Sequence, residues 1–224
     1  AIRHNPRFDR YKIHPGEWDT PEIEERAWKL VVNYKWPIYT ARAFAMQYFL
    51  FFSKGRMSLT ATSSSPLVAL RNLAIVYVTT DFVNYCWHIT CHKIPALYQG
   101  VHKFHHQYTV IDYKAHQFDH WFEPLIFFVG SGIGVLISGM SLLEYLAFWP
   151  IFTIADLHVH CGYRFPYNPL NLLVAPEMHD WHHYQNVGNY GNWTPIWDWL
   201  FGTDKAWRAS IERSKEGKEG EKEE

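Results

Sequence analysis

The sequence predicts an all-α fold in which membrane-embedded helices carry a cytosolic-face helical cap, and three observations predict it. Residues 124–143 form a run of twenty without a charge, long enough for a helix to cross the hydrocarbon of a bilayer. Trp, Tyr and Phe make up 18% of the chain, and rings with a polar edge favour the boundary between water and lipid. Histidines recur at spacings of three and four, which on a helix share one face.

The elements follow in order. Residues 1–18 are polar and aromatic without a period and read as an extended arm. Asp19-Thr20-Pro21-Glu22 opens a helix running to about Lys35, with a capping side chain, a proline in the first turn and acids at the positive end of the dipole. Residues 36–52, broken by Arg42, and 66–80, broken by Arg71, are weaker apolar stretches that read as short, tilted or interfacial. Residues 53–66 between them are rich in Ser, Thr, Gly and Lys and read as a loop. From Leu67 the chain reads as helix into His92, ending before Pro95. Residues 102–107 read as helical, and 112–123 as an interfacial stretch.

The long apolar segment resumes after Glu144 and reaches Ala155, so it spans once or folds as a helical hairpin. Gly130, Gly132, Gly134 and Gly139 within it suit close helix contact. Gly162, Pro166, Pro169 and Pro176 mark a structured loop before a last helix that carries His179 and His183. Residues 213–224 have no apolar side chain to bury. The expected organisation is an arm over 1–18, a membrane domain over 19–208 and a disordered charged tail over 209–224. Two to four helices are expected to span or half-embed. The mean hydropathy of −0.25 is low for a chain that crosses many times, so much of it sits in water.

Charge and cysteine usage narrow the function. With 21 basic against 22 acidic residues there is no electrostatic footprint for nucleic acid. Cys86, Cys91 and Cys161 form no regular framework, which points to a reducing, cytosolic setting for the histidines beside them.

Eight of the fourteen histidines fall in three clusters: His88-x-x-x-His92, His102-x-x-His105-His106 and His179-x-x-His182-His183. Each cluster is expected to point its rings one way. A structural zinc takes four ligands, so eight rings imply a histidine-rich dimetal site. An all-nitrogen set suits iron, copper or zinc rather than calcium or magnesium. Two irons at a membrane face suggest dioxygen activation and attack on an unactivated C–H bond of a lipid. Asp180, Asp81 and Glu123 either accept the second N–H of ligand imidazoles, a role favoured for Asp180, or are solvated interfacial charges. Asn189 and Trp197-Asp198 read as locks on the C-terminal segment. No catalytic residue separate from the metal ligands is expected.

The three motifs, in this order, resemble the fatty acid hydroxylase/sterol desaturase superfamily of membrane di-iron oxygenases. His160-Cys161-Gly162-Tyr163, Phe165-Pro166, Asn168-Pro169-Leu170-Asn171-Leu172, Gly188-Asn189-Tyr190-Gly191, Trp197-Asp198 and Phe201-Gly202-Thr203-Asp204 look like its C-4 methylsterol monooxygenase branch. Arg10-Tyr11-Lys12-Ile13 does as well, and the likeness covers roughly residues 8–208. The resemblance implies as ligands His88, His92, His102, His105, His106, His179, His182 and His183, with His120 and His160 as further family histidines. His116 and His158 have no firm counterpart and are read as lying outside the ligand set, near it or at the surface. Three segments depart from the family pattern without touching a ligand: Ile89, Val110-Ile111 and residues 114–119.

The resemblance further implies two iron ions, with zinc as a substitute, dioxygen as co-substrate, and an integral membrane enzyme of the endoplasmic reticulum. No Gly-x-Gly-x-x-Gly follows a strand, so electrons from NAD(P)H are expected through a separate reductase and a b-type cytochrome. The leading expectation is oxidation of a sterol C-4 methyl group, with hydroxylation or desaturation of another sterol, a fatty acyl chain or a sphingoid base as the runner-up. A non-catalytic metal-binding membrane protein is the alternative from another class. Transporters set ionisable ligands within several long spans, whereas these clusters flank short apolar segments.

Overall fold

The computed structural model describes residues 6–30, 41, 45, 65–173 and 176–223. Among the described residues every regular element is helical, and the only extended pairing is an isolated bridge between Lys12 and Tyr163. Most of the expected stretch 36–52 and loop 53–66, and the end of the first expected helix, lie outside the described residues.

The arm makes one turn, α1 (Pro6–Asp9), and then docks on the loop after the third long helix. Ile13 N donates to Gly162 O at 3.1 Å and Arg164 N to Tyr11 O at 2.8 Å. Helix α2 (Pro21–Leu30) begins where the sequence places it, with Ile23 N donating to Thr20 Oγ1 at 3.4 Å. Its Ala27 is buried against Tyr108, Ile111, Ala115 and Phe118, which ties α2 beneath the cap.

Helix α3 (Pro66–Lys93) is 28 residues long. Ser65 caps it by accepting from Val68 N at 3.3 Å, Pro66 needs no donor in the first turn, and the chain leaves the helix at Ile94, before Pro95. At 1.5 Å per residue it spans about 42 Å, longer than the about 30 Å of hydrocarbon in a bilayer. A short α4 (Pro95–Gly100) and two 3₁₀ turns, His102–Gln107 and Ala115–Gln117, lead back to the bundle.

The long apolar run folds as a hairpin rather than a single span. Helix α5 (Glu123–Ser138) ends at Gly139, whose φ of 65° is the left-handed cap that favours glycine. Ser141 and Glu144 then form a capping box that starts α6 (Leu142–Val159). Helices α3 and α6 are long and apolar enough to cross a membrane, and α5 is a shorter apolar helix. Ile133, Leu136 and Ile137 on α5 and Leu143, Ile151 and Ile154 on α6 are exposed, an outer surface that suits lipid rather than water.

Helix α5 packs mainly on α3, at glycines. A Cβ at Gly130 would lie 2.9 Å from Thr80 Cα, and one at Gly134 would lie 2.7 Å from Val76 Cα. Only a residue without a side chain lets the two backbones come this close. Phe127, Val135, Phe148 and Phe152 fill the interior between α5 and α6.

Beyond the hairpin come a 3₁₀ turn (Pro169–Leu172), α7 (Pro176–Gln185), α8 (Ile196–Phe201) and α9 (Lys205–Glu223). Where a disordered tail is expected, α9 is helical to Glu223. Lys, Glu and Arg are strong helix formers, so a segment with no apolar face to bury still takes up the helical backbone.

Candidate metal centre

The C-terminal end of α3, the N-terminal end of α5 and the C-terminal end of α6 meet at one end of the bundle, and the histidines gather there. Two buried groups form. His88, His92, His102, His106 and His182 make the first, and His105, His160, His179 and His183 the second. Within each group one ring nitrogen per residue lies within 4.8 Å of all the others. All eight clustered histidines are used, and His160 joins them.

The expectation that each cluster points one way fails for both triplets. His102 and His106, four apart, enter the first group while His105 enters the second. His179 and His183, also four apart, enter the second group while His182 enters the first. Each triplet therefore gives a pair to one group and its remaining ring to the other. The first triplet sits on a 3₁₀ turn, where eclipsing at a spacing of three would pair His102 with His105, so helical spacing does not set this division. The second sits on an α-helix positioned between the groups, so that its two ridges serve different sides.

The hydrogen bonds show what such groups are for. His88 Nδ1 meets Tyr190 O at 2.8 Å, His105 Nδ1 meets Phe118 O at 3.2 Å, and His160 Nδ1 meets Asp156 O at 2.9 Å. His182 Nδ1 meets Gly188 O at 2.5 Å and His183 Nδ1 meets Tyr108 O at 2.8 Å. A carbonyl only accepts, so these Nδ1 atoms carry the protons and the Nε2 atoms carry lone pairs. His102 is fixed the same way by the Glu123 carboxylate, 2.6 Å from its Nδ1. Burial, and after it the neighbouring imidazoles, hold His102, His105, His106, His179, His182 and His183 well below the ordinary 6.5, so the rings are neutral.

The lone pairs then converge on one another. His106 Nε2 lies 3.2 Å from His92 Nε2, 3.1 Å from His102 Nε2 and 3.2 Å from His182 Nε2. His179 Nε2 lies 2.9 Å from His160 Nε2 and 3.1 Å from His183 Nε2. One proton cannot serve three such contacts, and His88 Nε2, buried beside the Asn192 side chain, makes no hydrogen bond of ordinary geometry. Metal–nitrogen bonds of about 2.1 Å at right angles set neighbouring nitrogens about 3.0 Å apart, the spacing found here. The donor sets fit two transition-metal ions.

Of the two readings open for the three acids, Glu123 takes the first by holding the His102 ring, while Asp180 and Asp81 bond elsewhere. Asp180 Oδ2 lies 2.5 Å from His14 Nε2, so it anchors the arm, and the His14 ring stacks on Tyr184. Asp81 accepts from Trp193 N, Thr194 Oγ1 and Trp197 Nε1, at 3.3, 2.5 and 2.9 Å, and ties the C-terminal segment to α3. His120 belongs to neither group. Its Nδ1 accepts from Phe122 N at 3.4 Å, and its backbone N donates to Glu123 Oε2 at 3.1 Å. His158 meets Asn168 Nδ2 at 3.2 Å. His116 donates to Tyr113 O at 2.6 Å and borders a cavity.

Sequence reasoning read Asn189 and Trp197-Asp198 as locks but did not foresee that the loop they hold orients two of the rings. Residues 188–191 supply the carbonyls that fix His182 and His88. Asp198 holds that loop by accepting from Tyr190 N and Gly191 N, each at 2.7 Å, and from Thr203 Oγ1 at 2.6 Å. Asn189 Nδ2 donates to Met178 O at 3.0 Å, which joins the loop to α7.

A cavity of about 550 Å³ runs from His88, His102, His105 and His160 into the bundle. Phe127, Phe128, Leu146, Trp149 and Phe152 form its apolar lining. Histidine rings at one end and a hydrocarbon lining at the other suit a long apolar molecule with one position presented to the rings.

The family model for fatty acid hydroxylase matches residues 73–203, which hold all nine clustered rings. The chain is 29% identical over 215 residues to very-long-chain aldehyde decarbonylase GL1-8 of Oryza sativa subsp. indica, covering 90% of this chain and 76% of that one. It is 30% identical over 168 residues to methylsterol monooxygenase 2-1 of Arabidopsis thaliana, covering 65% and 61%. It is 29% identical over 236 aligned positions to sphingolipid C4-hydroxylase sur2 of Schizosaccharomyces pombe, covering 88% and 78%. No solved structure matches the chain. The matched segment takes in the whole of both histidine groups and more than half of the sequence, and the chain belongs to the fatty acid hydroxylase family.

Proposed function

We propose that this protein oxidises a C–H bond of a membrane lipid with dioxygen at a histidine-held di-iron centre, with a sterol C-4 methyl group as the leading substrate. The observation that carries the reading is the convergence of neutral imidazole lone pairs into two buried groups at the mouth of an apolar cavity. When bound, a pair of irons supplies dioxygen activation and the oxidation of unactivated C–H bonds.

The chain's own residues bind, orient and exclude water. His88, His92, His102, His106 and His182 hold one ion, and His105, His160, His179 and His183 the other. Backbone carbonyls of Tyr108, Phe118, Asp156, Gly188 and Tyr190, with the Glu123 carboxylate, fix the rings with Nε2 inward. Phe127, Trp149 and Phe152 keep the cavity body dry and seat the lipid body.

Substrates named for the relatives set the second reading. A sphingolipid hydroxylase matches 88% of this chain against 65% for a methylsterol monooxygenase, at nearly equal identity, which supports a sphingoid base as the alternative substrate. The free cysteines Cys86, Cys91 and Cys161 support a metal end facing the cytosol, in the endoplasmic reticulum membrane. Electrons come from NAD(P)H through a reductase and a b-type cytochrome.

The test is a mass-spectrometric lipid and sterol profile of aerobic cells expressing the chain or its His105→Ala variant, alongside iron analysis of the purified proteins. Loss of 4-methyl sterols only with the intact chain supports the leading substrate. Another oxidised lipid keeps the chemistry and moves the substrate. An unchanged profile with both reductase partners present overturns the reading.

A further inference from the structure

Helix α8 has two unlike sides. On the inner side Asp198 is buried and holds the loop whose carbonyls orient His88 and His182, while Trp197 donates its Nε1–H to Asp81 Oδ2 on α3 at 2.9 Å. On the outer side Ile196, Trp199 and Leu200 fall together at spacings of three and four, and Phe201 follows. These four are 53%, 67%, 59% and 57% exposed. So many large apolar side chains left open on one six-residue helix exceed the single, scattered ones that a surface ordinarily carries.

Their neighbours show what covers them. The Phe82 ring lies 4.6 Å from Trp197, and the Tyr85 ring stacks on Phe201 at 5.6 Å. Helix α8 therefore lies against α3, and its outer side runs on into Phe82 and Val78. These two are exposed apolar residues one turn apart on a helix long and apolar enough to cross a membrane. Phe82 and Tyr85 stand six and three residues before His88, so the contact falls between the apolar length of α3 and its ligand-bearing end. Just past the helix, Lys205 is exposed and lays its side chain over Gly202, with Cε 3.0 Å from where a Cβ would stand. Tryptophans, an apolar side and a lysine at its margin are the parts of a segment that rests where hydrocarbon meets headgroups.

We propose that α8 is an in-plane membrane anchor, whose Ile196, Trp199, Leu200 and Phe201 enter the acyl edge of the leaflet bordering the histidine groups, with Lys205 at its polar margin. A second copy of the chain fits this side less well. It is continuous with the flank of a helix suited to lipid, and four partly covered side chains fall short of the roughly 800 Å² per partner of a stable interface. The helix then holds lipid on one side and, through Asp198, the ring-orienting loop on the other. The inference rests on the membrane-embedded reading of the bundle and is independent of the substrate and the reaction.

The test puts the photoreactive p-benzoylphenylalanine in place of Leu200 in the full chain, reconstituted in phosphatidylcholine vesicles. A parallel protein carries it in place of Leu136, on the exposed side of α5. Irradiation and peptide mass spectrometry then read what each position touches, and a phospholipid adduct is expected at both. Depth is read from tryptophan quenching by brominated phosphatidylcholines. Trp199→Phe should remove roughly twice as much of the quenching by bromines near the headgroup as by bromines at the chain end. A crosslink from position 200 to a second copy of the chain overturns the anchor and leaves the membrane reading standing, as does no adduct there while position 136 takes one. A larger loss with chain-end bromines overturns the in-plane placement. No phospholipid at either position overturns the anchor and the membrane reading together.

Discussion

His106 and His182 are 76 residues apart in the chain, and their Nε2 atoms are 3.2 Å apart in the fold. That contact draws a 3₁₀ turn after the first span and a helix after the hairpin onto one ion position. Removing either ring should affect both halves of the protein.

His182→Ala and His179→Ala are expected to lower the metal content from about two ions per chain to about one or less, with lipid oxidation lost in both. Elemental analysis of purified protein checks the first outcome and product formation the second. Full loading in both variants would mean that the rings are not ligands.

Gly134→Val sets a branched side chain against Val76 and Thr79. Overpacking of this kind should cost about 1–3 kcal/mol, and more if α5 is forced off α3. The readout is a lower melting temperature of detergent-solubilised protein, with Gly139→Asn as a control that tolerates the left-handed cap.

Asp198→Ala strips the acceptor from Tyr190 N, Gly191 N and Thr203 Oγ1 at once. Buried donors left without partners should cost about 2–5 kcal/mol in total. Because Tyr190 O orients His88, the variant should also release metal faster to a chelator than the intact chain does. A loss of stability with an unchanged release rate would separate the loop's packing from its orienting role.

The ring nitrogens set a pH window. The folded-state values of His102, His105, His106, His179, His182 and His183 lie below 6.5, so between those values and 6.5 the unfolded chain binds more protons. Stability from these groups is present above pH 6.5 and is lost as the pH falls. Metal-free protein should therefore melt lower at pH 5.5 than at pH 8, and loaded protein should lose its ions over the same range.

His14 works in the opposite sense. Its hydrogen bond to Asp180 raises it above 6.5, so its contribution is complete below 6.5 and fades as the pH rises through the folded-state value. His14→Ala should cost about 1–2 kcal/mol at pH 6 and less at pH 9, with metal content unchanged. Differential melting across that range checks the sign.

What the sequence disclosed was local. The Thr20 and Ser65 starts, the stop before Pro95 and the eight rings follow from capping chemistry and spacing, which act within a few residues. The division of the triplets was not legible, because spacing tells which side chains share a face but not which of two ions that face meets. Asp180 sits inside a ligand cluster and still turns to an arm residue 166 positions away, a pairing no local pattern encodes. The hairpin needed the left-handed Gly139 and the Ser141 cap to be recognised within an apolar run.

The crossed supply of rings also bears on the lifetime of the loaded state. Neither ion is held by one piece of backbone, so neither can leave through the fraying of a single helix end. Escape of either requires the turn bearing His105 and the helix bearing His182 to part, which disturbs the other ion at the same moment. Exchange of bound ions with metal in solution would then require that whole end of the bundle to open.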